Sequence, residues 1–345
     1  MIGQPKRVLI VRSGNVGEII NTLPMTIALR TRFPRAEIAW LVEGDATPFL
    51  KGHWAIDRLL IVRKGWLRSL RGTTVLRRRL QAFAPNVAID VDGTFKSGIA
   101  AWFSGAKVRV GFGGAPASFA NRCFNNYRVT PETSHLVEQS LELLKPFGIV
   151  GSSIDFDLPE YDIDRRSVSN ILHREGLHGD FVLVKVGGEN EPHWSEERLA
   201  VVCRYLLDQW NLPTMLIWET EPELRRAEIV AANAKGAALV APAMTLSELT
   251  TLCRRTTLFI GADTPLLQVA AAVTASCVAL YGPTPSERNR PLNSMSRIVS
   301  DQRMSDIAVQ NVCNTCDAIL EQMMILAPDT LPGHFSQERR EMKAA

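Results

Sequence analysis

In the first half of the chain, the residues best suited to catalysis or ligand binding follow the first apolar run. Arg7–Val11 predicts a β-strand, and the turn Ser13-Gly14-Asn15-Val16-Gly17-Glu18 leads from it into a helical pattern. Glycines at such a turn let the backbone approach a ligand closely, although their spacing is not that of the dinucleotide-binding fingerprint. Glu18 then has two interpretations. It is either a carboxylate that stabilises the positive end of a helix, or a general base that takes the proton from a hydroxyl.

A second group of such residues follows a strand in the other half. Leu258–Gly261 is strand-like, and Asp263, Thr264 and Pro265 come after it. Threonine is a typical N-cap, and proline is favoured at the first helical position. Either the segment is simply a well-capped helix start, or its N–H groups and positive dipole end bind a phosphate group. Similar turns end two other strands of this half, at Gly187-Gly188 and at Tyr281–Thr284.

Alternating strands and helices must position both groups. The strand-like runs are Arg7–Val11, Glu37–Val42, Val87–Val91, Val108–Gly111, Phe181–Val186, Thr214–Trp218, Leu258–Gly261 and Cys277–Tyr281. The helical patterns include Ile19–Arg32, Ser195–Gln209, Glu221–Ala234 and Pro265–Val273. Regular alternation predicts parallel sheets, and ligands of open α/β folds bind at the carboxyl ends of the strands. We therefore expect an α/β protein of two doubly wound, Rossmann-like domains that face a cleft.

The composition between the two halves marks the domain boundary. GIVGSSIDFDLPEYDID is rich in Gly, Ser, Pro and acidic residues and has no hydrophobic period, as linkers do. We expect an N-terminal domain at residues 1–155, a linker at 156–166, a C-terminal domain at 167–325 and a polar tail at 326–345.

Length and composition exclude several classes of protein. The 345 residues, with 46% hydrophobic and 22% charged residues, are typical of globular chains and suffice for two cores. No apolar run approaches the ~20 residues that span a bilayer, and the start of the chain lacks a signal-peptide pattern. We therefore expect a cytoplasmic protein. A net charge of +3 gives no reason to expect nucleic acid as a partner.

Neither cysteines nor carboxylates form a recognisable metal site in the sequence. The six cysteines are scattered, and the C-x-x-C pair lacks the two further ligands of a zinc site. Three D-x-D pairs are interpreted as solvating and capping groups. We expect no metal and no cofactor. The pairs in question are Cys313/Cys316, Asp90/Asp92, Asp155/Asp157 and Asp162/Asp164.

A run of arginines has two interpretations. It is either a solvated helix face or a contact with an anionic acceptor or the negative cytoplasmic leaflet, where each basic residue adds about 1 kcal/mol. The run comprises Arg68, Arg71, Arg77, Arg78 and Arg79.

Several segments, in the same order, resemble glycosyltransferase family 9, the bacterial ADP-heptose:lipopolysaccharide heptosyltransferases. The resemblance extends from about Lys6 to about Pro291. It rests on RVLIVRSGNVGEIINTLPMTIALRTRFPRAEIAWLVE, NVAIDVDGTFKSGIAAWFSGAKVRVGF, HLVEQSLELL, HWSEERLAVV, FIGADTPLLQVAAA and ALYGPTPSERNRP.

The resemblance implies a GT-B fold and an inverting, metal-independent transfer, with acceptor on the N-terminal domain and ADP-sugar on the C-terminal domain. The family's catalytic aspartate falls on Glu18, its phosphate-binding pair on Asp263 and Thr264, and its nucleoside-contacting acid on or beside Glu223. The resemblance thus implies transfer of a sugar, a heptose, from an ADP-sugar to a lipopolysaccharide-type or other glycan acceptor. On the acceptor side we expect Ser13, Asn15, Gly17 and Lys96.

The sequence departs from the family at four positions. The family usually has Asp where this chain has Glu18 and Lys where it has Pro192. It usually has Gly where this chain has Pro265 and His where it has Gln268. A longer carboxylate displaces the base, and the other changes remove donors to a diphosphate. Lys185 and His193 are candidates to replace them. Two alternatives therefore stay open: a transferase that uses another nucleotide sugar, or a non-catalytic member that binds a sugar or a partner. The full donor-side set is Lys185, Gly187, Gly188, His193, Glu223, Asp263, Thr264, Pro265 and Gln268.

Overall fold

The computed structural model describes residues 2–44, 47–187 and 193–326, and the chain divides at Pro159–Glu160 into two compact units. The strands of the first unit are β1 (Arg7–Val11), β2 (Glu37–Glu43), β3 (Arg58–Val62), β4 (Val87–Asp90), β5 (Val108–Phe112) and β6 (Tyr127–Val129). Its helices are α1 (Val16–Ile20), α2 (Leu23–Arg32), α3 (Thr47–Leu50), α4 (Leu70–Phe83), α5 (Phe95–Phe103), α6 (Phe119–Arg122) and α7 (Leu136–Glu142).

The second unit repeats this alternation. Its strands are β7 (Val182–Lys185), β8 (Thr214–Ile217), β9 (Ala238–Val240), β10 (Leu258–Ala262), β11 (Cys277–Tyr281) and β12 (Arg297–Ser300). Its helices are α8 (Asp162–Arg174), α9 (Glu196–Trp210), α10 (Glu221–Asn233), α11 (Leu246–Cys253), α12 (Pro265–Ala272) and α13 (Val309–Leu326).

Each unit is built on a six-stranded parallel sheet. The strand order is β3-β2-β1-β4-β5-β6 in the first sheet and β9-β8-β7-β10-β11-β12 in the second, so the two orders are equivalent. In each sheet the chain starts at the centre, moves to one edge, and then returns to fill the other half. The order reverses between β1 and β4 and between β7 and β10, and ligands of doubly wound sheets bind at this switch point.

The central strands form because they are continuous apolar runs buried on both faces. Val8, Leu9 and Ile10 of β1 and Leu258, Phe259 and Ile260 of β10 are fully buried. Parallel strands covered by helices on both sides have this composition rather than an alternating one. The fold class predicted from the sequence, two doubly wound α/β units, is therefore confirmed.

Two local predictions differ from the structure. The sequence predicted one helix over Ile19–Arg32, whereas α1 ends at Ile20 and α2 starts at Leu23. Pro24 explains the break, because it lacks an N–H and is tolerated only in the first turn of a helix. The predicted linker overlaps α8, which begins at Asp162, so the Asp162/Asp164 pair lies in the first turn of a helix.

The last described helix belongs to the core of the second unit. Val312, Cys316, Ile319 and Leu320 of α13 are buried and pack in the same cluster as residues of β10 and β11. No helix within residues 2–44, 47–187 and 193–326 is long and apolar enough to cross a membrane.

The cysteines are free thiols, five of them buried. Burial raises the pKa of Cys203 and of Cys277 to about 12 and that of Cys313 to about 11. Buried thiols of this kind behave as small apolar side chains.

Candidate active site

The switch point of the first sheet gathers the polar residues that follow β1 and β4. Ser13 donates to Asp92 Oδ2 twice, from its backbone N–H at 2.9 Å and from its hydroxyl at 2.8 Å. Arg12 Nη1 donates to Asp92 Oδ1 at 3.2 Å and to the Val91 carbonyl at 3.0 Å. The two strand ends are therefore joined by a charged, hydrogen-bonded contact.

Glu18 lies at the N-terminal end of α1, beside this contact. It closes a capping box: its backbone N–H donates to Asn15 Oδ1 at 3.0 Å, and its carboxylate accepts from the Asn15 N–H at 3.1 Å. Arg12 Nη2 is 3.9 Å from the other carboxylate oxygen, and the Glu18 side chain is 36% exposed. The carboxylate is thus held at a helix start and still open to solvent, where it is able to accept a proton.

Gly14 leaves the space that the Glu18 carboxylate occupies. A Cβ on residue 14 would lie 1.8 Å from Glu18 Oε2 and 2.9 Å from its Cδ. No side chain fits there while the carboxylate keeps its position. Gly14 is therefore required by the placement of Glu18, a role that the sequence assigned only in general terms to the glycine-rich turn.

Asp92 is a member of this cluster that the sequence analysis placed among capping residues. Its side chain is 7% exposed. Burial raises its pKa, and the neighbouring Arg12 and the bonds from Ser13 oppose that shift. Glu18 adds a second negative charge nearby, which also raises the pKa of Asp92. Arg12 therefore lies between two carboxylates and is itself buried.

Asp90, the other half of that D-x-D pair, organises the turn that follows β4. It is fully buried and accepts from the Gly93 N–H, from Asn121 Nδ2 at 2.6 Å and from Asn125 Nδ2 at 3.2 Å. Burial raises its pKa. This network supports the loop that carries Asp92, so Asp90 is a structural residue of the site.

Lys96 and Gly17 are the two remaining acceptor-side candidates. Lys96, in the first turn of α5, forms an ion pair with Glu43 at the end of β2, and partial burial lowers the pKa of Lys96. Gly17 lies inside α1 and is buried. The structure thus places Ser13 and Asn15 in the loop after β1 and Gly17 and Glu18 in α1, whereas Lys96 lies in α5, after β4.

In the second unit, α12 begins directly after the central strand β10. Thr264 is its N-cap and accepts from the Leu267 N–H at 3.4 Å, and Pro265 is the first helical residue. Because Pro265 has no N–H and Leu267 donates to the cap, Leu266 is left to offer an N–H to a ligand. Asp263 precedes the cap and is half-buried, and Gln268 is buried one turn into the helix.

Lys185 and Glu223 form a buried ion pair. Lys185 Nζ is 2.5 Å from Glu223 Oε2 and 3.1 Å from Glu219 Oε2. The side chains of Lys185 and Glu223 are 0% and 4% exposed. The sequence assigned the lysine to a diphosphate and the glutamate to a nucleoside, without linking them. The structure joins the two, so each holds the other in place.

One further donor-side candidate, Gly187, follows the same strand. Gly187, two residues after β7, has φ +77°, a backbone conformation that suits glycine. His193 is exposed. Gly188 and Pro192 lie outside the described residues. Among the described residues no group of three or more His, Cys, Asp or Glu side chains is arranged to hold a metal ion.

The amino-acid sequence of this chain matches a known protein family. The family described as glycosyltransferase family 9 (heptosyltransferase) matches residues 73–317, more than two thirds of the 345 residues. The chain belongs to glycosyltransferase family 9. The prediction from the sequence that this protein is a glycosyltransferase is thereby confirmed.

Similar proteins come from several bacteria. Lipopolysaccharide heptosyltransferase 1 of Salmonella typhimurium is 26% identical to this glycosyltransferase over 289 residues, which cover 81% of this chain and 89% of that protein. The protein of the same name from Escherichia coli K12 is 25% identical over 293 residues, covering 81% and 88%.

Solved structures share the fold. The glycosyl transferase family 9 protein of Veillonella parvula superposes with a TM-score of 0.83 at 20% identity, covering 92% of this chain and 97% of that one. Escherichia coli heptosyltransferase WaaC with ADP gives 0.75 at 21% identity, covering 91% and 99%. The GT-B class expected for this glycosyltransferase is therefore confirmed.

Proposed function

We propose that this glycosyltransferase moves a heptose from an ADP-sugar to a lipopolysaccharide-type glycan acceptor, with inversion at the sugar carbon and without a metal ion. The observation that carries the proposal is the position of Glu18: a solvent-open carboxylate at the switch point of the first sheet. The similarity to lipopolysaccharide heptosyltransferases of Salmonella and Escherichia coli supports the choice of sugar and acceptor.

The proposed step needs one base and one stabilised leaving group. Glu18 takes the proton of the acceptor hydroxyl as its oxygen forms a bond to the anomeric carbon, while the bond from that carbon to the diphosphate oxygen breaks. The electron pair leaves with the ADP, and the configuration inverts because attack and departure occur on opposite faces. A base that acts only in the transition state raises kcat rather than affinity.

On the donor side, the start of α12 is proposed to receive the diphosphate. The positive end of a helix and its unbonded N–H groups favour an anion. Asp263, Thr264 and Leu266 lie at this start, and Gly187 follows the neighbouring central strand by two residues. Glu223 is proposed as the nucleoside contact, with Lys185 fixing its orientation through their ion pair.

The proposal places the enzyme at the cytoplasmic face of a membrane. A lipopolysaccharide-type acceptor carries acyl chains, so its glycan is presented at a lipid surface. We therefore include a peripheral membrane contact through Arg68, Arg71, Arg77, Arg78 and Arg79.

A thermal-shift panel of ADP, UDP, GDP and their sugars tests the donor. ADP or ADP-heptose is expected to raise Tm the most, because a ligand bound only by the folded state stabilises it. At a hundredfold excess over Kd the gain is about 2.7 kcal/mol. Turnover of the best donor should persist in EDTA. A preference for UDP would contradict the ADP assignment. Loss of turnover in EDTA would contradict the proposed metal independence. Tight binding without turnover would contradict the assignment as an active transferase.

The Gly14→Ala variant tests the placement of the base. The new methyl group would occupy the position of Glu18 Oε2, and a displacement of about 1 Å lowers catalytic rates by roughly a hundredfold. Since the carboxylate is the far end of a flexible side chain, stability should change little. Steady-state kinetics and a melting curve on the same preparation separate the effects. Unchanged kcat would show that Glu18 does not act from its observed position.

A further inference from the structure

The segment that carries α4, α5 and α6 is strongly basic at its surface. Between Arg58 and Pro131 the chain has thirteen Lys or Arg residues, two Asp and no Glu, whereas the rest carries 26 basic and 34 acidic residues. The two acids are Asp90, which is fully buried, and Asp92, whose side chain is 7% exposed. The outer surface of these helices therefore presents cations without exposed acidic residues of the same segment.

This segment also exposes large apolar side chains. Leu70 begins α4 and is 90% exposed, and Phe119 begins α6 and is 82% exposed. Phe95 and Trp102, seven residues apart on α5, are about half exposed. Burying any of these side chains against an apolar phase would be favourable, by about 1.5–3 kcal/mol when burial is complete. A helix face that is merely solvated would not combine such exposed apolar side chains with a cluster of cations.

The aromatic rings of α5 and the ring of Phe124, two residues after α6, form a continuous row. The Phe124 ring centroid lies 5.8 Å from that of Phe95 and 6.3 Å from that of Trp102. The Trp102 centroid is in turn 5.6 Å from that of Phe103. Gly98 permits this arrangement, because a Cβ there would lie 2.9 Å from Phe124 Cδ2.

The arginines of α4 border this row. Arg77 lies over the Phe103 ring, with Cζ 5.8 Å from the centroid. Leu76 and Leu80 of α4 and Ala100 and Ala101 of α5 pack in one core cluster, so both helices cover the same face of the first sheet. In the part of the chain that the structure describes, none of the five arginines of the run forms an ion pair. Their charges therefore have no acidic partner among the described side chains.

We propose that this outer surface of α4, α5 and α6, the basic face, docks on an anionic bilayer, with Leu70, Trp102 and Phe119 inserted among the headgroups and the arginines on lipid phosphates. The positive charge of the basic face indicates which partner binds to it. A second copy of the chain would bring two surfaces of like charge together, whereas an anionic leaflet attracts them. The row also suits a bilayer interface, where Trp and other amphipathic side chains concentrate. The inference extends the arginine contact of the proposed function, but its test requires neither donor nor acceptor.

Vesicle flotation of the full chain tests the basic face. Binding is expected to phosphatidylcholine vesicles that contain about 30% phosphatidylglycerol, to weaken with salt, and to be at least about tenfold lower on pure phosphatidylcholine. Arg71→Glu/Arg78→Glu should lower partitioning at least about tenfold, since each basic residue contributes about fivefold. Trp102→Ser/Phe119→Ser should lower it by about tenfold with the charges retained.

Matched controls come from α10 of the second unit. Arg225 is exposed and Ile229 is 49% exposed, so Arg225→Glu and Ile229→Ser make the same kinds of change elsewhere and should leave flotation unchanged. Circular dichroism and melting curves establish that each variant is folded. Equal flotation with and without phosphatidylglycerol would overturn the proposal, as would equal losses in the controls. Binding of single-stranded nucleic acid in place of vesicles, lost in the same variants, would assign the basic face to a nucleic acid instead.

Discussion

The Glu18→Gln variant is expected to turn over about 10²–10⁴-fold more slowly than the unchanged protein, with nearly the same nucleotide affinity. The amide has almost the same shape but cannot take a proton from the acceptor hydroxyl. A base that acts only as the new bond forms affects kcat and kcat/KM equally. Initial-rate kinetics with the acceptor, combined with ADP titration, measure the two quantities separately.

Glu248 provides a matched control, because it occupies the same local structure. It closes the capping box of α11, where its carboxylate accepts from the Thr245 N–H at 2.8 Å. Glu248→Gln weakens a helix cap in the same way without touching the proposed base. If the two variants lost activity equally, the effect of Glu18→Gln would be structural. Wild-type turnover by Glu18→Gln would place the base elsewhere.

Glu18→Asp restores the residue usual in the family and is also expected to lose activity. The loop accommodates the longer side chain: the carboxylate fills the space beside Gly14 and reaches back to the Asn15 N–H. A carboxylate one methylene shorter gives up that contact.

The second large effect is expected on stability, from the buried ion pair of the second unit. Lys185→Met should lower the free energy of unfolding by about 3–5 kcal/mol, because it leaves the Glu223 carboxylate buried without its cation. Glu223→Gln should cost less. Glu219, whose side chain is 37% exposed, remains 3.1 Å from the lysine and still compensates its charge.

The double variant Lys185→Met/Glu223→Leu makes the comparison decisive. Replacing both partners by apolar side chains removes the uncompensated charge, so the double variant should be more stable than Lys185→Met alone. Urea denaturation of the unchanged protein, Lys185→Met, Glu223→Leu and the double variant gives the coupling energy. Additive losses would show that the two groups do not stabilise one another. Loss of ADP affinity in the folded Glu223→Gln variant would add evidence for the nucleoside role.

The strands that the sequence predicted are the inner ones. β3, β6, β9 and β12 were missed, and they are the four edge strands of the two sheets. An inner parallel strand is buried on both sides and forms a continuous apolar run, which is visible in the sequence. Edge strands such as Arg58–Val62 and Arg297–Ser300 have mixed exposure. Their strand character depends on a neighbour far away in the chain, so no local pattern shows it.

The same limit applies to the site. The turns at Glu18 and at Asp263–Thr264 could be predicted, because a strand end, glycines and a helix cap are local signals. The pairing of Arg12 with Asp92 spans 80 positions and that of Lys185 with Glu223 spans 38. The D-x-D pattern alone gave no reason to assign different roles to its two residues. Asp90 supports the turn after β4, whereas Asp92 belongs to the cluster with Arg12 and Ser13. A basic residue directly after the first strand was the one available signal for a nearby acid.

The position of α13 sets different times of completion for the two units during synthesis. Domains fold as units while the chain is still being made, N-terminal first. The first sheet has all six strands once Val129 has left the ribosome. The second has its last strand at Ser300, but its core also requires the buried residues of α13, which ends at Leu326. The nascent second unit therefore exposes apolar surface until α13 has been made, and it is open to aggregation and proteolysis over a longer stretch of synthesis than the first unit.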